Sequence, residues 1–172
     1  MKTVYGAILD TGEKYYTYLQ KVFDAIGNRQ TEYNWLITDC ECCPKSPEAE
    51  RLFSQEYCFL SGDELTAIVE MEDFQWIWAV LSGFKKDIPF EEIMKYPLPY
   101  ANEYEGFWKN PLSIQHPLAS VEIVPWDSAM TLVLSDDKNV VDTYMAAFPL
   151  SHDLAEYNEQ MCHVSDGFRR ND

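Results

Sequence analysis

The chain has 172 residues, and 13 Lys and Arg stand against 29 Asp and Glu for a formal net charge of −16. So little basic surface excludes a nucleic-acid binder that works by neutralising phosphates, and it disfavours adhesion to an anionic membrane. Apolar residues at 47% and aromatic residues at 15% suffice for one folded domain that buries its core without covalent staples.

The elements follow in chain order. Val4 to Leu9 predicts a strand. Asp10 and Glu13 stand at capping-box spacing, so a helix is expected next, with Tyr15, Leu19, Val22 and Ile26 on one stripe and Gly27-Asn28 as its stop. Tyr33 to Thr38 predicts a second strand, and Pro44 and Pro47 open a short helical or irregular stretch to Ser54. Tyr57 to Leu60 predicts a third strand. Ser61 and Glu64 form a second capping box that starts a helix with Leu65, Ile68 and Val69 inward. Phe74 to Leu81 predicts a central strand, apolar on both faces, with Phe74, Trp76, Trp78 and Val80 sharing one of them.

Pro89 to Tyr96 fits a short helix. The pattern then breaks from Pro97 to Pro117, where Tyr100, Tyr104, Phe107 and Trp108 fall in a long irregular segment. A loop this long and aromatic either packs on the core or forms a recognition surface. Val121 to Val124 and Met130 to Leu134 predict two strands joined by the turn residues Pro125-Trp126-Asp127-Ser128. Asp136 and Asp137 cap a helix carrying Val140, Val141, Tyr144, Met145 and Phe148. Ser151 begins a last helix, and residues 161–172 read as a loose tail after a single domain at 1–160. With no Gly-rich phosphate loop and no strict strand–helix alternation, the expected class is α+β: a mostly antiparallel sheet with helices packed on one side.

No constellation points to a catalytic or metal centre. Cys40, Cys42 and Cys43 lack the CxxC spacing of a tetrahedral metal site, although Cys58 or Cys162-His163 could add ligands. His116, His152 and His163 sit where no Cys–His dyad can be argued. Glu70, Glu72 and Asp73, then Asp127, then Asp136 with Asp137, are neighbouring acids of the kind that 29 acids produce by chance, and they read as caps and solvated faces. Ser82 and Ser128 lack the glycines of a nucleophile elbow. No cofactor and no metal is expected. The absence of a ~20-residue apolar run argues against a membrane helix. The Met1-Lys2-Thr3-Val4-Tyr5 start and an odd cysteine count suit a reducing cytoplasm.

Val121-Glu122-Ile123-Val124-Pro125-Trp126-Asp127-Ser128, the strand Met130 to Leu134, Phe148-Pro149-Leu150-Ser151, Asp153-Leu154 and Tyr157-Asn158, together with Tyr33-Asn34-Trp35, resemble a small bacterial family of uncharacterised proteins, a domain of unknown function. The resemblance implies no catalytic residues.

The expected function is a non-enzymatic acidic binding protein, immunity- or inhibitor-like, that neutralises or regulates a basic protein. Charge would speed the encounter and aromatic anchors would supply affinity. Tyr100, Tyr104, Phe107, Trp108, Trp126 and Asp127 are the candidate contacts. A small-ligand module, or a small-molecule enzyme with a carboxylate-lined pocket, is the alternative. A monomer or small homo-oligomer is expected.

Overall fold

The computed structural model describes residues 2–168, with side chains to residue 162. Among the described residues, seven strands form one sheet: β1 Tyr5–Leu9, β2 Tyr33–Cys42, β3 Tyr57–Ser61, β4 Trp76–Lys85, β5 Val121–Trp126, β6 Met130–Ser135 and β7 His152–Asp153. They lie in the order β3-β2-β4-β5-β6-β1-β7, and every pairing is antiparallel. The class is α+β, as expected. β4 lies inside the sheet between β2 and β5, which explains why both its faces are apolar.

Four helices cover one face: α1 Leu19–Ala25, α2 Pro47–Phe53, α3 Gly62–Met71 and α5 Lys138–Ala147. Their apolar stripes meet Ala7, Leu9, Trp35, Ile37, Leu81, Ile123 and Val133 in the larger core. The start of α3 is the capping box read from the sequence, with Glu64 N–H donating to Ser61 Oγ at 3.2 Å and Ser61 N–H donating to Glu64 at 2.7 Å. Gly62 must be glycine for another reason: a Cβ there would run into the carbonyl of Gln30. Asp137 caps α5 by accepting from Asn139 N–H at 2.9 Å. The first capping box does not form. Residues 10–18 are irregular, α1 begins only at Leu19, and Glu13 instead pairs with Lys21. Gly27 and Asn28 end α1 with positive φ values of 69° and 58°.

Helices do not keep to one side as expected: the opposite face is covered by α4 Phe90–Ile93, by α6 Leu154–Phe168 and by the aromatic segment, because Ile93 and Leu154 pack their apolar side chains there. α6 reaches Phe168, so residues 161–168 are helical rather than a loose tail, and the remaining four residues of that expected tail lie outside the described ones.

The faces of β4 differ from the strict alternation. The register between β2 and β4 slips on both sides of Glu41, where Thr38 pairs with Val80, Glu41 with Trp78 and Cys42 with Trp76. A bulge of this kind changes the phase of side chains along a strand. Phe74 and Trp76 therefore join the helix-side core, stacked at 5.3 Å with Phe53 against them. Trp78 and Val80 face the other way.

Candidate functional site

The stretch from Pro97 to Pro117 is a packed cover, held by carboxylates. Asp39, in the bulge of β2, takes a left-handed φ of 48°. Its Oδ2 accepts from the consecutive amides of Ala101 at 2.8 Å and Asn102 at 3.0 Å. At the far end, Glu122 on β5 accepts from the consecutive amides of Gln115 at 2.9 Å and His116 at 3.1 Å, and from the Ser82 hydroxyl at 3.1 Å. Between these anchors, Asn158 on α6 donates to the Phe107 carbonyl at 3.0 Å, and Asn110 donates to the Ala155 carbonyl at 2.9 Å. A segment that cannot join the sheet must satisfy its buried amides elsewhere, and these side chains do so.

Glu122 is fully buried. Burial pushes its carboxyl up to about 7, against the opposing pull of the hydrogen bonds from Gln115, His116 and Ser82. His116 is buried beside it, and burial holds its ring below the usual value. The ring is fully engaged. Nδ1 accepts from Leu118 N–H at 3.2 Å, which leaves Nε2 to donate to the Ile93 carbonyl at 3.1 Å. Ser82, Glu122 and His116 thus form a structural knot, with neither ring nitrogen free to act as a base.

Five of the six predicted contacts converge on the aromatic cluster beneath and around this cover. Tyr100 meets Tyr104 at 5.2 Å, and Tyr104 meets Phe107 at 4.7 Å. Trp126 receives Trp108 at 5.0 Å, Trp78 at 4.8 Å and Phe107 at 6.3 Å, each edge to face. Phe107 is completely buried, so it is a core anchor and not a contact residue. Tyr104, Trp108 and Trp126 are half-buried, and Tyr100 and Asp127 are exposed. Asp127 and Ser128 form the tip of the β5–β6 hairpin with φ of 49° and 55°, the pair of positive values a type I′ turn requires. Pro125 and Trp126, expected in the turn, belong to the strand. Ser128 N–H reaches over to the Ile77 carbonyl at 3.3 Å.

Trp78 also forms one wall of an open cleft of about 530 Å³. Asp39, Glu41 and Glu56 line it, with Gln55 and Asn102, and among the described residues no Lys, Arg or His lines it. Nothing local in the sequence marks Asp39, Glu41, Glu56 or Trp78 as site residues. Only Glu122 left a signal, as an acid inside the apolar run Val121-Glu122-Ile123-Val124.

Four of the neighbouring acids serve as braces. Glu72 accepts from Ser46 N–H at 2.9 Å, Asp73 accepts from Gln20 N–H, Asp136 pairs with Lys2, and Asp137 pairs with Arg29 at 2.8 Å. Among the described residues, no group of His, Cys, Asp and Glu is arranged to hold a metal ion. No helix among them is long and apolar enough to cross a membrane.

No curated protein and no solved structure matches the chain. A family model described as a protein of unknown function (DUF2691) matches residues 5–102. The match takes in β1 to β4, α1 to α4, the bulge with Asp39, and Trp78, and it includes Tyr33-Asn34-Trp35. The residues from Val121 onward that carried the resemblance lie beyond it. With more than half of its length matched, the chain belongs to the DUF2691 family of proteins of unknown function.

Proposed function

We propose that the protein is a non-enzymatic binding protein that receives a basic segment of another protein in the Trp78 cleft, in the manner of an immunity or inhibitor protein. The observation that carries this reading is the cleft lining: three carboxylates, one indole and, among the described residues, no basic side chain. A Lys or Arg entering there would meet carboxylate charge and the face or edge of an indole, and a cation over a Trp face gains about 0.5–2 kcal/mol. The half-buried Trp126 and Trp108 continue the surface from Trp78, and their mutual edge-to-face packing keeps them rigid. Rigid aromatic anchors lose little side-chain entropy on binding. The net charge of −16 would add steering at long range. A cytoplasmic location suits the reading, with Cys40, Cys42, Cys43 and Cys58 present as thiols.

Titration with a tetra-arginine peptide, followed by indole fluorescence, separates a cleft from a diffuse field. The expected result is saturable binding that weakens about tenfold in Glu41→Gln/Glu56→Gln and less than about twofold in Asp63→Asn/Glu70→Gln, which removes equal charge from α3. Equal weakening by both pairs would reject the cleft as the site.

A further inference from the structure

We propose that Cys40 and Cys42 are a redox-modifiable pair that closes to a disulfide when a peroxide oxidises it. The sulfurs lie 3.7 Å apart, with the Cys40 thiol directed at Cys42. In a regular strand, residues two apart have Cα atoms about 6.6 Å apart, near the outer limit of about 6.8 Å for a disulfide. Here the strand is not regular. Asp39 takes a left-handed φ of 48° immediately before Cys40, and the register slips on both sides of Glu41. The two sulfurs meet within this irregular stretch, where the backbone has freedom that a flat ladder lacks. Closing the bond requires the sulfurs to approach by about 1.7 Å, to the ordinary S–S length of about 2.05 Å. Cys40 lines the open Trp78 cleft and Cys42 is itself partly exposed, so a small oxidant has a path to both sulfurs.

The chemistry balances with hydrogen peroxide as the oxidant. The Cys42 thiolate attacks one peroxide oxygen and the O–O bond breaks. This leaves a sulfenic acid on Cys42 and a hydroxide that takes up the displaced thiol proton as water. Cys40 then attacks the Cys42 sulfur. The S–S bond forms as the S–O bond breaks, and the second water leaves with the Cys40 proton. Two thiols and one peroxide give one disulfide and two waters, and the two electrons lost by sulfur reduce the peroxide oxygens. Cys40 takes the second role because its hydrogen bond to Cys42, and then burial, hold its thiol well above the ordinary range. Cys58, on the neighbouring strand β3, is the competing third thiol, and burial pushes it up to about 12.

The test uses the full chain carrying Cys43→Ser and Cys162→Ser, which removes two exposed thiols and leaves three of the five cysteines. After hydrogen peroxide, the expected result is loss of two thiols per chain and a mass lower by about 2 Da, the two hydrogens removed. Cleavage after Glu41 should then yield two peptides joined through Cys40 and Cys42, and dithiothreitol should separate them. Adding Cys42→Ser should abolish the mass loss. A disulfide through Cys58, a gain of oxygen mass without disulfide, or three unreacted thiols would each overturn the proposal.

Discussion

Replacing Glu122 with Ala is expected to lower the stability of the protein by about 3 kcal/mol and to release the Pro97–Pro117 cover from the sheet. The reason lies in what Glu122 holds. Its oxygens accept from Gln115 N–H, His116 N–H and the Ser82 hydroxyl in a fully buried site. Truncation strands all three donors, and each buried unsatisfied group costs about 1–3 kcal/mol. Removal of an unfavourably buried charge offsets part of that loss. Glu103 and Glu105 are exposed acids on the same segment, so Glu103→Ala and Glu105→Ala should each cost less than about 0.5 kcal/mol. Urea unfolding gives the stabilities. Red-shifted indole emission from Trp108 and Trp126, together with new proteolytic cuts between residues 97 and 117, would report release of the cover. A Glu122→Ala protein as stable as the parent would show that the carboxylate does not hold the segment.

The second large effect is in pH. Glu122 titrates at about 7 in the folded protein against an ordinary value of 4.5. The folded state therefore holds a proton that the unfolded chain has already released, and this stabilisation is complete below pH 4.5 and lost as pH rises towards 7. Between pH 5 and pH 8 the loss from this one group is on the order of 2 kcal/mol. His116 acts with the opposite sign: its folded value is depressed, so its contribution is present above its ordinary 6.5 and falls away in acid. Burial of Asp73 raises its carboxyl and adds to the Glu122 trend at the acid end. The Glu122→Gln variant separates these contributions. It should be less stable throughout, because its amide NH₂ must face a backbone donor. The gap between parent and variant should shrink by about 2 kcal/mol from pH 5 to pH 8. A gap independent of pH would mean that Glu122 is ionised throughout that range.

The sequence made some of this visible for plain reasons. The Ser61–Glu64 box, the Asp137 cap and the Gly27-Asn28 stop are local devices, complete within a few residues, and each formed where its pattern stood. The false capping box at Asp10 and Glu13 has the same spacing. There the chain makes irregular structure until Leu19, because tertiary packing decides where α1 begins. The bulge at Asp39 could not be read from the chain. It depends on the register between β2 and β4, which involves residues about forty positions apart, and the second slip, between Glu41 and Cys42, is the one that places Trp76 and Trp78 on opposite faces. The aromatic segment was legible as a unit, and its rings do gather around Trp126. Its anchors were hidden by composition: among 29 acids, nothing local marks Asp39 and Glu122 as the two that hold backbone amides. The cleft is hidden for a related reason. Glu41, Glu56 and Trp78 come from β2, from the turn after α2 and from β4, and only the fold brings them together.

The most direct measurement for the proposed function is affinity capture from a lysate of the native host, with wild-type protein and Glu41→Gln/Glu56→Gln as paired baits at low and then high salt. One basic protein is expected to be retained by the wild type at low salt, released at high salt, and depleted on the cleft variant. Equal retention by both baits, or no basic protein on the wild type, would contradict it.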